Sequence, residues 1–277
     1  MALPEKRKAE RIKEMMTPLG TLIESIAEDG AGRWSVNASE DWRQGRTLYG
    51  GVSAGLCFAA CEKLVPDLPP LRSAQIAFIG PSGGEATLVP TVLRRGKSVT
   101  FMACDLIADG VVATRTLFAF GGERESAFAV EAPAAPDAPR PEDCPPLFRQ
   151  WAPTFAQHFE MRYAGGGYPV TGADDGDMIV WVRHKDDDAP AGLVSLVTLG
   201  DALPPASMPR LTGPAAISSM TWNFDLADAT RYDAKGWVLL RSKDDAVGHG
   251  YAGQTMGMWD DQGRPILMGR QNITIFA

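Results

Sequence analysis

Gly51-Val-Ser53-Ala-Gly55 sets a serine between two glycines, the spacing of a nucleophile elbow that presents a hydroxyl to an acyl carbon. Asp201 and His249 follow in the Ser…Asp…His order that such chemistry needs. Asp201 draws notice on a second count. It lies in an apolar segment that starts at Leu193, where a carboxylate is costly unless it is used or paired. It could instead cap a turn, beside Gly200 and ahead of Pro204-Pro205. Cys57 and Cys61 are four apart, a spacing open to a metal pair, but no zinc-type ligand spacing follows, and two small buried helix residues are the plainer reading. Asp174-Asp175-Gly176-Asp177 and Asp186-Asp187-Asp188 lack the closing Glu of a calcium loop and read as solvated loops. Gly165-Gly166-Gly167 has no helix to open, so it reads as a flexible bend.

The elements around Ser53 argue against the elbow. A nucleophile elbow needs a strand before the serine, yet Asp41 to Thr47 is polar and Arg-rich. Val52 to Leu64 lacks Pro, has no Gly after Gly55, and is rich in Ala and Leu. It reads as a helix, apolar nearly all round and therefore buried. Strands follow at 72–79, 85–95, 98–109 and 111–120, with Asp109-Gly110 as a hairpin signal. Consecutive strands do not build a doubly wound parallel sheet.

The 277 residues ask for about two units. Residues Ala132 to Pro146 hold six of the 21 prolines and read as a semi-rigid extended linker near the midpoint. The halves on either side share an order of elements. Leu48-Tyr49-Gly50-Gly51 opens the first buried segment, and Thr198-Leu199-Gly200-Asp201 lies in its counterpart. Strands then recur near 178–184, 215–225, 236–246, 249–260 and 265–276. A meander leaves one apolar face open, so a helix must lie across it. A helix wrapped by a curled antiparallel sheet is the hot-dog arrangement. The expected class is α+β: a double hot-dog, with two antiparallel sheets each wrapped around a central helix, as one continuous intramolecular pseudo-dimer. The expected divisions are an N-terminal helical extension at 1–28, a first hot-dog at 29–125, an Ala/Pro-rich linker at 126–156, and a second hot-dog at 157–277. Lys6 to Ala27 reads as the extra helix, broken at Thr17-Pro18.

Three stretches resemble the acyl-CoA thioesterase II type of double hot-dog thioesterase. They are Tyr49-Gly50-Gly51, Ser73 through Phe78 with Pro81, and Arg94-Arg95-Gly96-Lys97-Ser98. The resemblance spans about residues 30 to 276, the linker apart, and implies hydrolysis of acyl-CoA. It implies an Asp, a strand hydroxyl and a Gln as the site. Asp201 and Gln271 match the first and last. The hydroxyl position falls on Ile217, which cannot serve. Ser219 and Thr221, expected on the same strand face, are the replacements. The Arg-Pro that commonly follows the Phe is replaced by Asp225-Leu226.

The implied chemistry is direct attack by water, with no cofactor or metal. Asp201 would deprotonate the water, Gln271 would hold it by donor and acceptor, and Thr221 or Ser219 would complete the cradle. A thiol leaves readily, so no strong acid is needed. Tyr49, Gly50, Gly51 and Trp222 are the expected substrate-binding residues, with Gly50-Gly51 amides at a helix N-terminus serving the oxyanion. The glycines could instead serve close packing, and Gln271 could be an outward strand residue. Phe58, Met102, Met220 and Trp222 are expected to line an acyl tunnel. Arg94, Arg95, Lys97, Arg241 and Lys243 could meet the phosphates of CoA, or be solvated turn charges. Asp244-x4-His249 has the spacing of hot-dog hydratases, but falls in a turn. Aligning the halves sets Gly51 against Asp201 and Arg115 against Gln271, which predicts one site per chain.

A net charge of −7 argues against nucleic-acid binding. No apolar run approaches the roughly 18 residues of a membrane span. Met1–Met16 is charged and lacks a signal-peptide core, and with four cysteines the expectation is cytoplasmic. A homodimer of double hot-dogs is a further possible partner state.

Overall fold

Alternation of buried and exposed residues runs along most strands, and it dictates the architecture. The computed structural model describes residues 16–148, 152–186 and 188–276, the Arg231 side chain apart. Residues 6–15 of the expected N-terminal helix, and Asp187, lie outside these residues. The described part of that helix is α1, Leu19–Glu24, which starts directly after Pro18. A short hairpin follows, β1 (Ala27–Gly30) and β2 (Arg33–Asn37), and then a small one, β3 (Arg43–Gln44) and β4 (Thr47–Leu48).

The first central helix, α2, spans Gly50–Leu64. Every residue from Gly51 to Cys61 is buried, as a helix without a polar stripe requires. Four strands wrap it: β5 (Leu71–Phe78), β6 (Glu85–Arg95), β7 (Val99–Ala108) and β8 (Val111–Gly121). The second half opens with β9 (Phe159–Gly166) and β10 (Asp177–His184), followed by the short helix α3 (Leu193–Gly200). It closes with β11 (Ala216–Leu226), β12 (Val238–Gly248), β13 (Tyr251–Asp260) and β14 (Pro265–Phe276).

All of these strands except β3 and β4 form one antiparallel sheet, in the order β1-β2-β6-β7-β8-β5-β11-β14-β13-β12-β10-β9. Read from either end, the order is the same series of equivalent elements, so the two halves are related by a pseudo-twofold. The two expected sheets are therefore joined into one of twelve strands. The seam is β5 against β11, where Trp222 pairs with Ile76. The equivalence this register gives refines the alignment of the halves. Trp222 pairs onward with Gln271, and Ile76 pairs onward with Thr116. Thr116, and not Arg115, is the counterpart of Gln271. Arg115 points away from the core and forms a bidentate pair with Asp105 at 2.7 Å.

The Ala/Pro-rich segment is extended, as its composition implies, and it packs as a strap on the second half. Trp259 Nε1 donates to the Pro133 carbonyl and Trp181 Nε1 to the Pro139 carbonyl, both at 2.8 Å. Cys144, Ile179, Trp181 and Leu239 bury one another there, apart from the main core. This covers the second face of β10 and explains why Met178 to Val182 is buried without alternation. Gly165 and Gly166 are paired to β10 as the end of β9, and not a free bend. Among the described residues, no helix is long and apolar enough to cross a membrane.

Candidate active site

The two central helices meet through the smallest side chains in the chain. A Cβ on Gly51 would stand 2.5 Å from the Tyr49 hydroxyl and inside van der Waals distance of the Thr198 carbonyl. One on Gly55 would overlap the Thr198 hydroxyl. Gly51 and Gly55 lie four apart on one face of α2, so the Gly-x-Ser-x-Gly pattern is a helix-packing face. Ser53 sits inside the helix and donates to the Tyr49 carbonyl at 3.2 Å. No strand-to-helix turn exposes it, so it is no nucleophile elbow.

This close approach brings the end of α3 to the start of α2. Asp201 follows the last residue of α3, and its Oδ2 would be 2.5 Å from a Cβ on Gly50. Gly51 is the second residue of α2, and its backbone N–H lies near enough to the Asp201 carboxylate to favour the ionised form. Gly51 and Asp201 thus face one another at opposite ends of their helices and do not hold equivalent places. The glycines serve packing and the approach to Asp201 together.

Gln271 reaches the carboxylate from the sheet. On β14 it points inward, is 4 % exposed, and its Nε2 donates to Asp201 Oδ1. Its Oε1 accepts from Gln254 Nε2 at 2.9 Å, and Gln254 Oε1 accepts from the Ala206 backbone N–H at 2.7 Å. Burial pushes the Asp201 carboxyl up to about 7, against the opposing pull of the Gln271 and Gly51 donors. Desolvation outweighs both donors, and the group is left poised near neutrality.

Asp201 opens on a cavity of about 730 Å³ at the seam of the two halves. Its walls come from the β3–β4 hairpin, the start of α2, the end of β5, the segment 152–155, the loop 201–205 and the start of β11. Phe78, Ser53 and Ser219 line it, and exposed Arg46 stands on its wall.

The two candidate hydroxyls part company here. β11 carries a bulge between Ser219 and Thr221, where Met220 has no partner. The extra residue reverses the alternation of side chains. Ile217, Ser218 and Ser219 line the cavity with Asp201, whereas Thr221 lines a separate depression with Asn223 and Gln271. The shared strand face expected for Ser219 and Thr221 does not exist.

Other expected contributors sit elsewhere. Trp222 is fully buried against Gly200 and does not line the cavity. Tyr49 is buried too, stacked on Phe155 at 4.0 Å and donating to the Thr198 carbonyl at 2.8 Å. It holds the helices in place and does not face the cavity. Phe58 and Met102 are core residues, and Met220 is exposed on its bulge, so the expected tunnel lining is not formed by them. Arg241 is bound to Asp177 at 2.5 Å and Arg95 to Asp67 at 2.6 Å. Arg94, Lys97 and Lys243 are exposed, and none of these five lines the cavity. Asp244 pairs with Arg210 at 3.1 Å, and His249 is exposed in a turn at φ 54°, away from any hot-dog helix. His158 stacks on Trp42 and pairs with Asp41, and buried His184 meets the Ser195 carbonyl at 3.1 Å. No histidine is among the described cavity residues. Gln254 escaped the sequence reading because its role rests on pairing across β13 and β14, which no local spacing encodes.

Two fused hot-dog units with a partly buried carboxylate at their seam define a double hot-dog protein of the α+β class. The chain belongs to the acyl-CoA thioesterase family: the family's N-terminal domain matches residues 38–121 and its C-terminal domain residues 133–275. Among solved structures it is similar to a conserved hot-dog protein of unknown function from Alicyclobacillus acidocaldarius, at 20 % identity and TM-score 0.84, covering 95 % of this chain and 99 % of that one. It is also similar to the acyl-CoA thioesterase II TesB2 from Mycobacterium marinum, at 16 % identity and TM-score 0.73, over 92 % and 97 %. The dehydratase domain of RzxB from Pseudomonas fluorescens is a further likeness, at 14 % identity and TM-score 0.54, over 94 % and 100 %. These identities bear on the fold alone. No curated protein matches the chain.

Proposed function

We propose that this chain hydrolyses acyl-CoA thioesters by water attack at Asp201. The observation that carries the reading is the Gln271–Asp201 hydrogen bond beside the seam cavity, with the carboxyl raised to about 7. A base near the working pH combines the ionised form with useful proton affinity. A water in the cavity gives its proton to the Asp201 carboxylate as its oxygen bonds to the thioester carbon. The carbonyl electron pair moves onto oxygen. Gln271 does not itself line the cavity, and its part is to hold the Asp201 carboxylate in place through its amide N–H. Collapse of the intermediate breaks the C–S bond, and the departing thiolate takes the proton back from Asp201. A thiol pKa near ~8.5 makes this departure easy without a separate acid, in keeping with a cavity without histidine.

Of the two β11 hydroxyls, Ser219 is the one that supports this reading, since it shares the cavity with Asp201 and Thr221 does not. Among the described residues, Arg46 is the cation on the cavity wall that could meet the phosphates of CoA. The test is release of free thiol from a panel of acyl-CoAs of different chain lengths. Turnover of at least one member is expected. Saturable binding of acyl-CoA with no thiol released would overturn hydrolysis in favour of a non-catalytic binding protein.

A further inference from the structure

Gln254 is fully buried on the inner face of β13, among Ala252, Met256 and Met258. A primary amide there must satisfy its polar atoms inside the protein, since a pair of apolar residues of the same size would serve the core equally well. It does so in a chain with a fixed direction. The Ala206 backbone N–H can only donate, so the atom of Gln254 that meets it at 2.7 Å is the carbonyl oxygen. The Gln254 amide nitrogen is thereby turned to Gln271, where it donates to Oε1 at 2.9 Å. Gln271 must then present its own nitrogen to Asp201. The chain closes on itself, because Ala206 lies on the loop that follows Asp201.

The first half of the molecule supplies the comparison. The register that makes Thr116 the counterpart of Gln271 makes Cys104 the counterpart of Gln254: Cys104 pairs with Thr116, and Gln254 with Gln271. Thr116 donates locally to the Cys104 carbonyl at 3.2 Å. The same place in the same fold thus packs without an amide pair where no carboxylate awaits it.

We propose that Gln254 is a positioning residue, which fixes the direction of the Gln271 amide so that its N–H, and never its carbonyl, faces Asp201. This deepens the proposed role of Asp201 and Gln271, and rests on it. Without Gln254 the Gln271 amide is free to rotate. In its reversed state it places an oxygen against the carboxylate, which disfavours the ionised base.

The test is carbonyl-carbon NMR titration of Asp201 in the full chain, paired with steady-state turnover, for wild type, Gln254→Met and Gln254→Glu. The Met variant keeps the volume and removes the direction. Its Asp201 midpoint is expected to rise by about one unit, a tenfold change in ionisation. Its kcat should fall roughly fivefold at pH 7, with KM within about threefold. The Glu variant still accepts from Ala206, so it keeps the loop contact if the Met variant fails to fold. Where it is ionised it offers Gln271 only acceptor oxygens, reverses that amide, and should raise the midpoint further. A folded variant with an unchanged midpoint and unchanged kcat would reduce Gln254 to a core residue and overturn the proposal. The titration needs no turnover, so it decides on Gln254 even if wild type releases no thiol, a result that would count against hydrolysis itself.

Discussion

Gln271 donates to the carboxylate of Asp201 across 70 positions of sequence, and this bond joins the last strand of the sheet to the end of the second central helix. It is made at the seam of two hot-dog units, with α2 closing the other side through Gly50. One bond thus ties a base, its orienting amide and the fused architecture together. The pseudo-twofold partner of Gln271, Thr116, makes no such link.

The raised carboxyl of Asp201 sets the pH dependence of turnover. The ionised form is the base, so kcat/KM should climb about tenfold per pH unit below the midpoint and level off above about 7. Initial rates of thiol release from pH 5 to 9 measure this. A flat profile through that range would remove Asp201 from the role.

The same group links stability to pH. Its folded pKa lies above the unfolded value, so the folded protein holds a proton that the unfolded chain has lost. Stability from this group is fully present below about 4 and is lost as pH rises through about 7. Asp201→Asn removes the dependence. Unfolding free energies from urea titrations at pH 5 and 8 should lie about 1–3 kcal/mol closer together in the variant than in wild type. An equal pH dependence in both proteins would contradict the burial of this charge.

The glycines at the helix crossing should separate into two effects. Gly55→Ala forces a methyl against Thr198 and should cost roughly 1–3 kcal/mol of stability, read by denaturant melting. Gly50→Ala presses instead on Asp201 and Phe78. It should lower kcat by about tenfold or more, since small misplacements of a base are costly. Equal turnover in wild type and Gly50→Ala would show that this approach is slack.

The bulge at Met220 gives the next contrast. Ser219→Ala should lower kcat by roughly tenfold, the loss of one polar contact to the reacting water. Thr221→Val should stay within about twofold of wild type, because beyond the bulge Thr221 lies outside the cavity that holds Asp201. A large loss in Thr221→Val with the Ser219 variant intact would reverse the assignment.

Much of this arrangement is visible in the residues. The alternating apolar runs place the eight long strands β5 to β8 and β11 to β14 within two or three residues of their ends, because each has one face on the core. β10 is placed as closely by its apolar run. β9 is missed, since Phe159–Gly166 is rich in Gly and charge and is a strand only through its pairing with β10. Asp201 and Gln271 are legible from their match to a family pattern and from the cost of a buried carboxylate. The hydroxyl is not, because a bulge is one unpaired residue and leaves no mark on composition. Gln254 is invisible for a related reason: its partners Ala206 and Gln271 lie 48 and 17 positions away. The Pro-rich segment reads as extended, but its docking on Trp181 and Trp259 depends on surfaces distant in sequence.

The central claim is that Asp201 is the base in thioester hydrolysis, and one comparison tests it most directly. Wild type and Asp201→Asn should be assayed side by side for thiol release from the best acyl-CoA of the panel at pH 8. Asparagine keeps the shape and can still bond Gln271, but it cannot accept the proton. The account predicts a fall in kcat of about 10²–10⁴-fold in a variant that unfolds no more readily than wild type. Turnover by Asp201→Asn equal to that of wild type would contradict it.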